Sequence, residues 1–262
     1  MKHKALQKLG VLLFWLIVWQ VVAMIVNNPI LFVTPFQMVK TLLNLLQQFE
    51  VWVSIFKTCS SVVLGFLLAF VGGFILAYLS YKHLIIQHFI APIIATFKAI
   101  PVASFIVIVL VWSSSAQLSL IISTLIGLPL VYTILLEGFN TIDVKLFEMA
   151  NVFNVSSLKQ FKHITLSEIA PFLYSGVQVT LGYCFKSGIA AEVIGLPLHS
   201  LGAGLYQAKV YFATDELFAY TALIIGLSYL LEKTMVALVR LIYQKGGYYD
   251  YCLLYTSDAA DE

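Results

Sequence analysis

Charge is scarce in this 262-residue chain: Asp, Glu, Lys and Arg make up 11% of it, against about 25% in an ordinary soluble domain. With 61% hydrophobic residues, a soluble chain would expose more apolar surface than water tolerates, so the bilayer is its natural solvent. Long basic runs are missing, which argues against nucleic acid as a partner. Cysteine is limited to Cys59, Cys184 and Cys252. The odd count and the absence of a CxxC pair argue against a disulfide framework or a zinc site. The five histidines, His3, His83, His88, His163 and His199, show no metal-ligand spacing; His83 and His88 fall on different faces of an ideal helix. There is no GxxxxGK(S/T) run, so ATP chemistry, if any, belongs to another chain. A membrane-embedded enzyme would need Asp, His or Ser clustered for chemistry, and no such cluster is found. A secondary transporter would show an internal repeat with paired broken helices; no clear repeat is found.

What is present is a series of long apolar runs. A helix needs roughly 20 apolar residues to cross the hydrocarbon core, and this length allows six spans. They are expected at 9–27, 58–81, within 84–112, 117–138, 171–194 and 217–243. The first follows Lys2, Lys4 and Lys8 and is too long for the apolar core of a typical signal peptide, so it reads as an uncleaved span. The second is rich in small residues (Ser60, Ser61, Gly65, Gly72, Gly73) that let helices approach closely in lipid. Pro92 and Pro101 interrupt the third, which makes the count six or seven. Pro129 lies inside the fourth. The expected fold is therefore all-α and polytopic, forming one transmembrane domain over residues 1–251. The tail from Cys252 to Glu262 has the letters of a translated sequencing adapter and is expected to be non-native.

Charge placement orients the spans. With the N-terminus inside, the inner side holds Lys2, Lys4, Lys8, Lys82, Lys145, Lys159, Lys162, Lys233, Arg240 and Lys245, and the outer side only Lys40, Lys57 and Lys209. The positive-inside rule then selects an N-in, C-in arrangement. Lys98 and Lys186 fall within spans. Intramembrane charge is costly and marks a functional candidate. Lys186 and Glu192 lie six residues apart, about 240° of turn, so they do not share a helix face. Lys186 has two readings, a pathway residue or a structural pairing. Lys98 is merely snorkelling if its half-span is interfacial.

The segment 139–170 lies on the inner side. Leu146, Met149, Ala150 and Phe153 recur at i, i+3, i+4 and i+7, one apolar stripe of a short amphipathic helix. Lys145 and Glu148 lie off the stripe. Asn154 ends the run, and Asn is the non-glycine residue best suited to a left-handed turn. Ser157 and Gln160 have the spacing of a capping box opening a second helix. Such a helix–turn–helix either merely connects two spans or contacts a partner; its thirty residues exceed what a connection needs.

Here the chain resembles a known family. Glu148–Met149–Ala150, Asn154, Ile164–Thr165–Leu166–Ser167 and Pro171 are similar to the "EAA" loop, E-A-A-x-x-x-G followed by I-x-L-P, of binding-protein-dependent ABC transporter permeases. Met149, Asn154 and Ser167 depart from it. Leu31–Phe32–Val33–Thr34–Pro35 resembles the family's L-P-S/T-P segment, and Phe97–Lys98–Ala99–Ile100–Pro101 its R-A-I-P element. Ala190–Ala191–Glu192–Val193–Ile194–Gly195 and Leu201–Gly202–Ala203–Gly204–Leu205 resemble the A-E-x-I-G…G-L-G region of the sulfonate/nitrate/taurine subgroup. The resemblance implies a type I importer permease of the bacterial inner membrane that forms a dimer, most simply a homodimer. It docks two cytoplasmic ATPases and receives a small solute from an extracytoplasmic binding protein. The permease would bind no cofactor; ATP and Mg would be used by the ATPase. The coupling residues implied are Leu146, Glu148, Met149, Ala150, Phe153, Asn154 and Leu166, with Glu148 as a charged contact and Ala150 keeping the helix thin enough to seat. Lys98, Pro101, Lys186 and Glu192 are the pathway candidates. The 195–216 segment reads as a loop: an outer gate, a binding-protein contact or a plain connection. The subgroup implies a sulfonate, taurine or nitrate as solute, and thiamine-precursor permeases look alike.

Overall fold

A computed structural model describes residues 2–28 and 30–245. The tail singled out above, 252–262, lies outside the described residues. Among these residues the chain is helical throughout and has no β-strand. In chain order the helices are α1 (Lys2–Val26), α2 (Pro35–Leu45), α3 (Phe49–Lys82), α4 (Leu84–Ala99), α5 (Val102–Trp112), α6 (Ser115–Asn140) and α7 (Val144–Val152). Then come α8 (Ser157–Gln160), a π-turn (Phe161–Thr165), α9 (Leu166–Glu168), α10 (Ala170–Gly195), α11 (Leu201–Val210) and α12 (Thr214–Lys245).

Three of these are long and apolar enough to cross a membrane: Phe49–Lys82, Ser115–Asn140 and Thr214–Leu241. The pair α4 and α5, bent by 102°, makes a fourth if counted as one span. That is fewer than the six expected. Helix α10 has the length, 26 residues, but Gln178, Lys186 and Glu192 dilute it and it does not qualify. Among the described residues α1 contributes the apolar stretch Leu13–Val26.

The break in the third expected span sits at Pro101, not at Pro92. Pro92 lies inside α4 without ending it. Ile100, directly before Pro101, is extended at φ −74° and ψ 128°, where proline's ring forces the preceding residue.

The helices fall into two compact units. The first contains residues up to Thr58 together with Glu192–Leu227. Here α2 begins with a full capping box: the Thr34 side chain accepts from the Gln37 amide while Gln37 reaches back to the Thr34 amide, and Pro35 opens the helix. Trp19 Nε1 donates to the Val33 carbonyl at 2.9 Å, and the Trp19 and Phe32 rings both meet Phe218. Thr41 donates to Asp215 at 2.9 Å, tying α2 to the start of α12. The 195–216 segment, expected as a loop, contains α11. Ser200 caps it by accepting from the Ala203 amide at 3.1 Å.

The second unit contains Cys59–Ala191 and, among the described residues, 228–245. Missing side chains let its helices close up. A Cβ on Gly65 of α3 would lie 2.6 Å from the Leu120 carbonyl oxygen of α6, and one on Gly73 2.7 Å from Val131. Gly127 of α6 and Gly188 of α10 are crowded in the same way, by Cys184 and Ala69 and by Val62 and Ser119. Such small-residue contacts let helices associate in lipid, where the hydrophobic effect gives no drive. Helices α6 and α10 also exchange hydrogen bonds: Ser123 Oγ donates to the Cys184 carbonyl at 3.0 Å and Cys184 Sγ donates to the Ser123 carbonyl at 3.2 Å. One apolar cluster gathers Ala77, Val131, Leu135, Phe139, Ile142, Ile169 and Leu173. A second, around Phe105, Ile106, Leu118 and Ile122, seats the bent pair.

Candidate functional site

The segment between α6 and α10 is held by caps, side-chain hydrogen bonds and packing against the second unit. Helix α7 is opened by Asp143, whose Oδ1 accepts from the Lys145 amide at 2.9 Å. It closes on Asn154 at φ 52°. The Asn154 amide donates to Asn151 at 3.0 Å and the Val155 amide to Ala150 at 2.9 Å, the paired bonds of a Schellman motif. The left-handed turn expected at Asn154 is thus present.

The expected capping box at Ser157 and Gln160 is not. Helix α8 starts one residue earlier than expected, with Ser156 at the N-cap and no side-chain cap bond. The Gln160 side chain turns back instead, its Nε2 donating to Asn151 Oδ1 at 2.8 Å and to the Val155 carbonyl at 2.9 Å. Gln160 therefore staples α8 to the end of α7.

The inward side of the segment joins the main cluster. Ile142 is buried in it, and Phe147, Ile164 and Leu166 pack against it. The Tyr78 ring meets Phe161 edge-on at 5.3 Å. Tyr243 of α12 donates its hydroxyl to the Leu166 carbonyl at 3.2 Å. Lys82, in the last turn of α3, holds its ammonium 5.4 to 5.9 Å from the rings of Tyr78, Tyr81 and Phe147, a cation–π arrangement joining α3 to α7.

The expected apolar stripe on α7 is divided. Leu146 is half-buried and Ala150 only 5% exposed. Ala150 thus faces its own chain, so the thinness it confers serves packing there. Met149 and Phe153 stay outside, Phe153 at 74%. With Val144, Val152 and Leu158, also exposed, they form an apolar surface beside the exposed Lys145 and Glu148. Leu166 faces inward. Sequence periodicity finds the helix but not Phe147 or Tyr243, which help fix its position, and sequence spacing marks Gln160 only as a capping residue; their partners are remote in sequence or lie across a turn.

The pathway candidates divide between the two units. Lys98 lies exposed in the last turn of α4 and Pro101 exposed at the break. Lys186 is exposed, its ammonium 5.8 Å from the Tyr183 ring. Glu192 is 2% exposed and belongs to the first unit. There its Oε2 accepts from Thr58 Oγ1 at 2.9 Å and from the Gly202 amide at 3.1 Å, and Thr58 Oγ1 accepts in turn from the Leu201 amide at 3.1 Å. Gly202 is required: a Cβ there would sit 2.4 Å from that of Glu192. The A-E-x-I-G and G-L-G elements are therefore two halves of one clamp, closed by Thr58, which no sequence signal marked.

Comparison with known proteins follows the same segments. Residues 61–245 match the family model for the binding-protein-dependent transport system inner membrane component. The chain is 24% identical over 233 residues to a probable ABC transporter permease protein of Haemophilus influenzae, covering 87% of this chain and 93% of that protein. It is 24% identical to the putative aliphatic sulfonates transport permease protein SsuC of Bacillus subtilis, over 77% of this chain and 74% of the relative. It is 22% identical to the taurine transport system permease protein TauC of Escherichia coli, over 88% and 86%. The chain belongs to the family of binding-protein-dependent transport system inner membrane components, the permeases of ABC transporters.

Proposed function

We propose that this chain is the permease of an ATP-driven importer in the bacterial inner membrane. It works as a homodimer of one transmembrane domain per chain, with six spans and both termini inside. The bent α4–α5 pair forms the third span, and α1, together with α10 despite its polar residues, completes the six. An extracytoplasmic binding protein delivers the solute, and separate cytoplasmic ATPase subunits use ATP and Mg. The relatives named for aliphatic sulfonates and taurine support a small sulfonate-, taurine- or nitrate-like solute.

The observation that carries this reading is the surface of α7. A short helix pinned from behind by Phe147 and Lys82 leaves Met149, Val152, Phe153 and Leu158 exposed around Glu148. Exposed apolar residues rimmed by charge mark a protein contact. Glu148 supplies a charged contact to the ATPase, Phe153 an apolar anchor, and the Schellman turn at Asn154 sets the angle to the next helix. Closure of the ATPases on ATP then moves α7 as a block. Leu166 transmits that movement into α10 through the shared cluster.

The test is co-purification with the ATPase and reconstitution with the binding protein. Solute-stimulated ATP hydrolysis is expected to fall at least tenfold in Glu148→Arg while the protein's thermal midpoint stays unchanged. Uptake by the chain alone under an ion gradient would overturn the reading.

A further inference from the structure

The first unit holds a cavity of about 490 Å³ bordered by the first turn of α3, the 196–200 loop, α11 and the start of α12. That volume suits a small organic solute. In the orientation proposed above it opens on the extracytoplasmic side. Among the described residues its walls carry one carboxylate, Glu50, and one imidazole, His199, and neither lysine nor arginine. Tyr206, Tyr211 and Tyr220 add ring faces and hydroxyls.

These walls are built into the fold. Tyr220 lies so close over Gly204 that a Cβ at 204 would come within 2.7 Å of the ring; the absence of a side chain there is what admits the tyrosine. Ser54 donates to the Glu50 carbonyl at 2.9 Å and Trp52 Nε1 to the Leu46 carbonyl at 2.8 Å, which fixes the turn presenting Glu50. Helix α11, which carries Tyr206, is held by its Ser200 cap and by the Glu192 clamp.

The chemistry of this wall is selective. A carboxylate attracts an ammonium group directly, and aromatic faces attract it through their quadrupoles. A plain anion would meet the Glu50 charge with no lysine or arginine among the described wall residues to offset it. The dipole of α3 explains an acidic residue in its first turn, but not three tyrosines converging with it on one cavity. We infer that this cavity admits a solute bearing a protonated amine. Resting on the importer reading, this narrows the solute to an amino-bearing zwitterion or cation and sets aside plain anions such as nitrate.

The test needs no ATPase, so it stands or falls apart from the coupling experiment. The full chain in lipid nanodiscs is titrated calorimetrically with taurine and with isethionate, which keeps the sulfonate and replaces the ammonium by a hydroxyl. Taurine is expected to bind at least tenfold more tightly. Glu50→Gln should erase that difference and Glu50→Asp should keep most of it. Equal binding of the two compounds, binding of neither, or a preference for taurine that survives in Glu50→Gln would overturn the inference. The comparison on the unaltered chain decides the matter even where a variant fails to fold.

Discussion

Two residues show how far one side chain can set local structure. Asn154 occupies the left-handed region at φ 52°, where a β-branched residue is strained by roughly 1–2 kcal/mol. Asn154→Val is therefore expected to lower stability by about that much, and Asn154→Gly to leave it unchanged or slightly higher. Thermal unfolding of the purified chain in detergent distinguishes them. Glu192 is the second case. Its buried carboxylate satisfies the Thr58 hydroxyl and the Gly202 amide together. Glu192→Ala would orphan both, at a cost on the order of 2–3 kcal/mol, whereas Glu192→Gln keeps an acceptor for Thr58 and should cost less. A similar loss in both variants would show that the charge, not the hydrogen bonding, matters at this site.

At the scale of elements, legibility follows whether the determining partner lies nearby in the chain. The left-handed turn at Asn154 was readable because a local backbone preference dictates it. Helix α2 was missed although its signal, Thr34 and Gln37 around Pro35, is also local; its mixed composition hid it among polar residues. Helix α11 reads as loop in the sequence because Gly195, Pro197, Gly202 and Gly204 punctuate 195–204, yet Gly202 and Gly204 serve close approach to Glu192 and Tyr220. The division of the α7 stripe was not legible, since a partner-facing apolar residue and a core-facing one look alike in sequence. Close helix approach carries its own prediction. A Cβ at Gly188 would lie 2.7 Å from Val62 and 2.8 Å from Ser119 Oγ, so Gly188→Leu should wedge α10 away from α3 and α6. Folded, membrane-inserted protein is expected to drop several-fold, read as the monodisperse fraction after detergent extraction. Gly182→Leu, with no atom within 4 Å of its Cβ position, is the control.

For the whole molecule, family membership and the all-helical fold were legible together, because lipid leaves so few ways to satisfy a backbone. The number of spans was not. Helix α10 carries Gln178, Lys186 and Glu192 through what a hydropathy window treats as one uniform stretch, and Glu192 owes its place to a clamp that no window sees. The proposed topology makes a direct prediction. Single cysteines replacing Lys40 or Lys209, in a background lacking the native cysteines, should react with an impermeant maleimide added outside intact cells. One replacing Lys159 should react only after the membrane is opened. Labelling of Lys159→Cys in intact cells would invert the arrangement.

The π-turn at Phe161–Thr165 carries a consequence for how length changes are tolerated. A π-turn holds one residue more than an α-turn spanning the same rise. Deleting a single residue there would give an ordinary α-helical turn and leave the direction in which everything beyond it faces nearly unchanged. Phe161 on one side is gripped by Tyr78, and Ile169 and Leu173 on the other sit in the core. Neither side is free to turn. The wide turn therefore absorbs the surplus residue between two fixed registers, and losing one residue here should be easier to accommodate than losing one inside α10, where the side chains that follow would swing by about 100°.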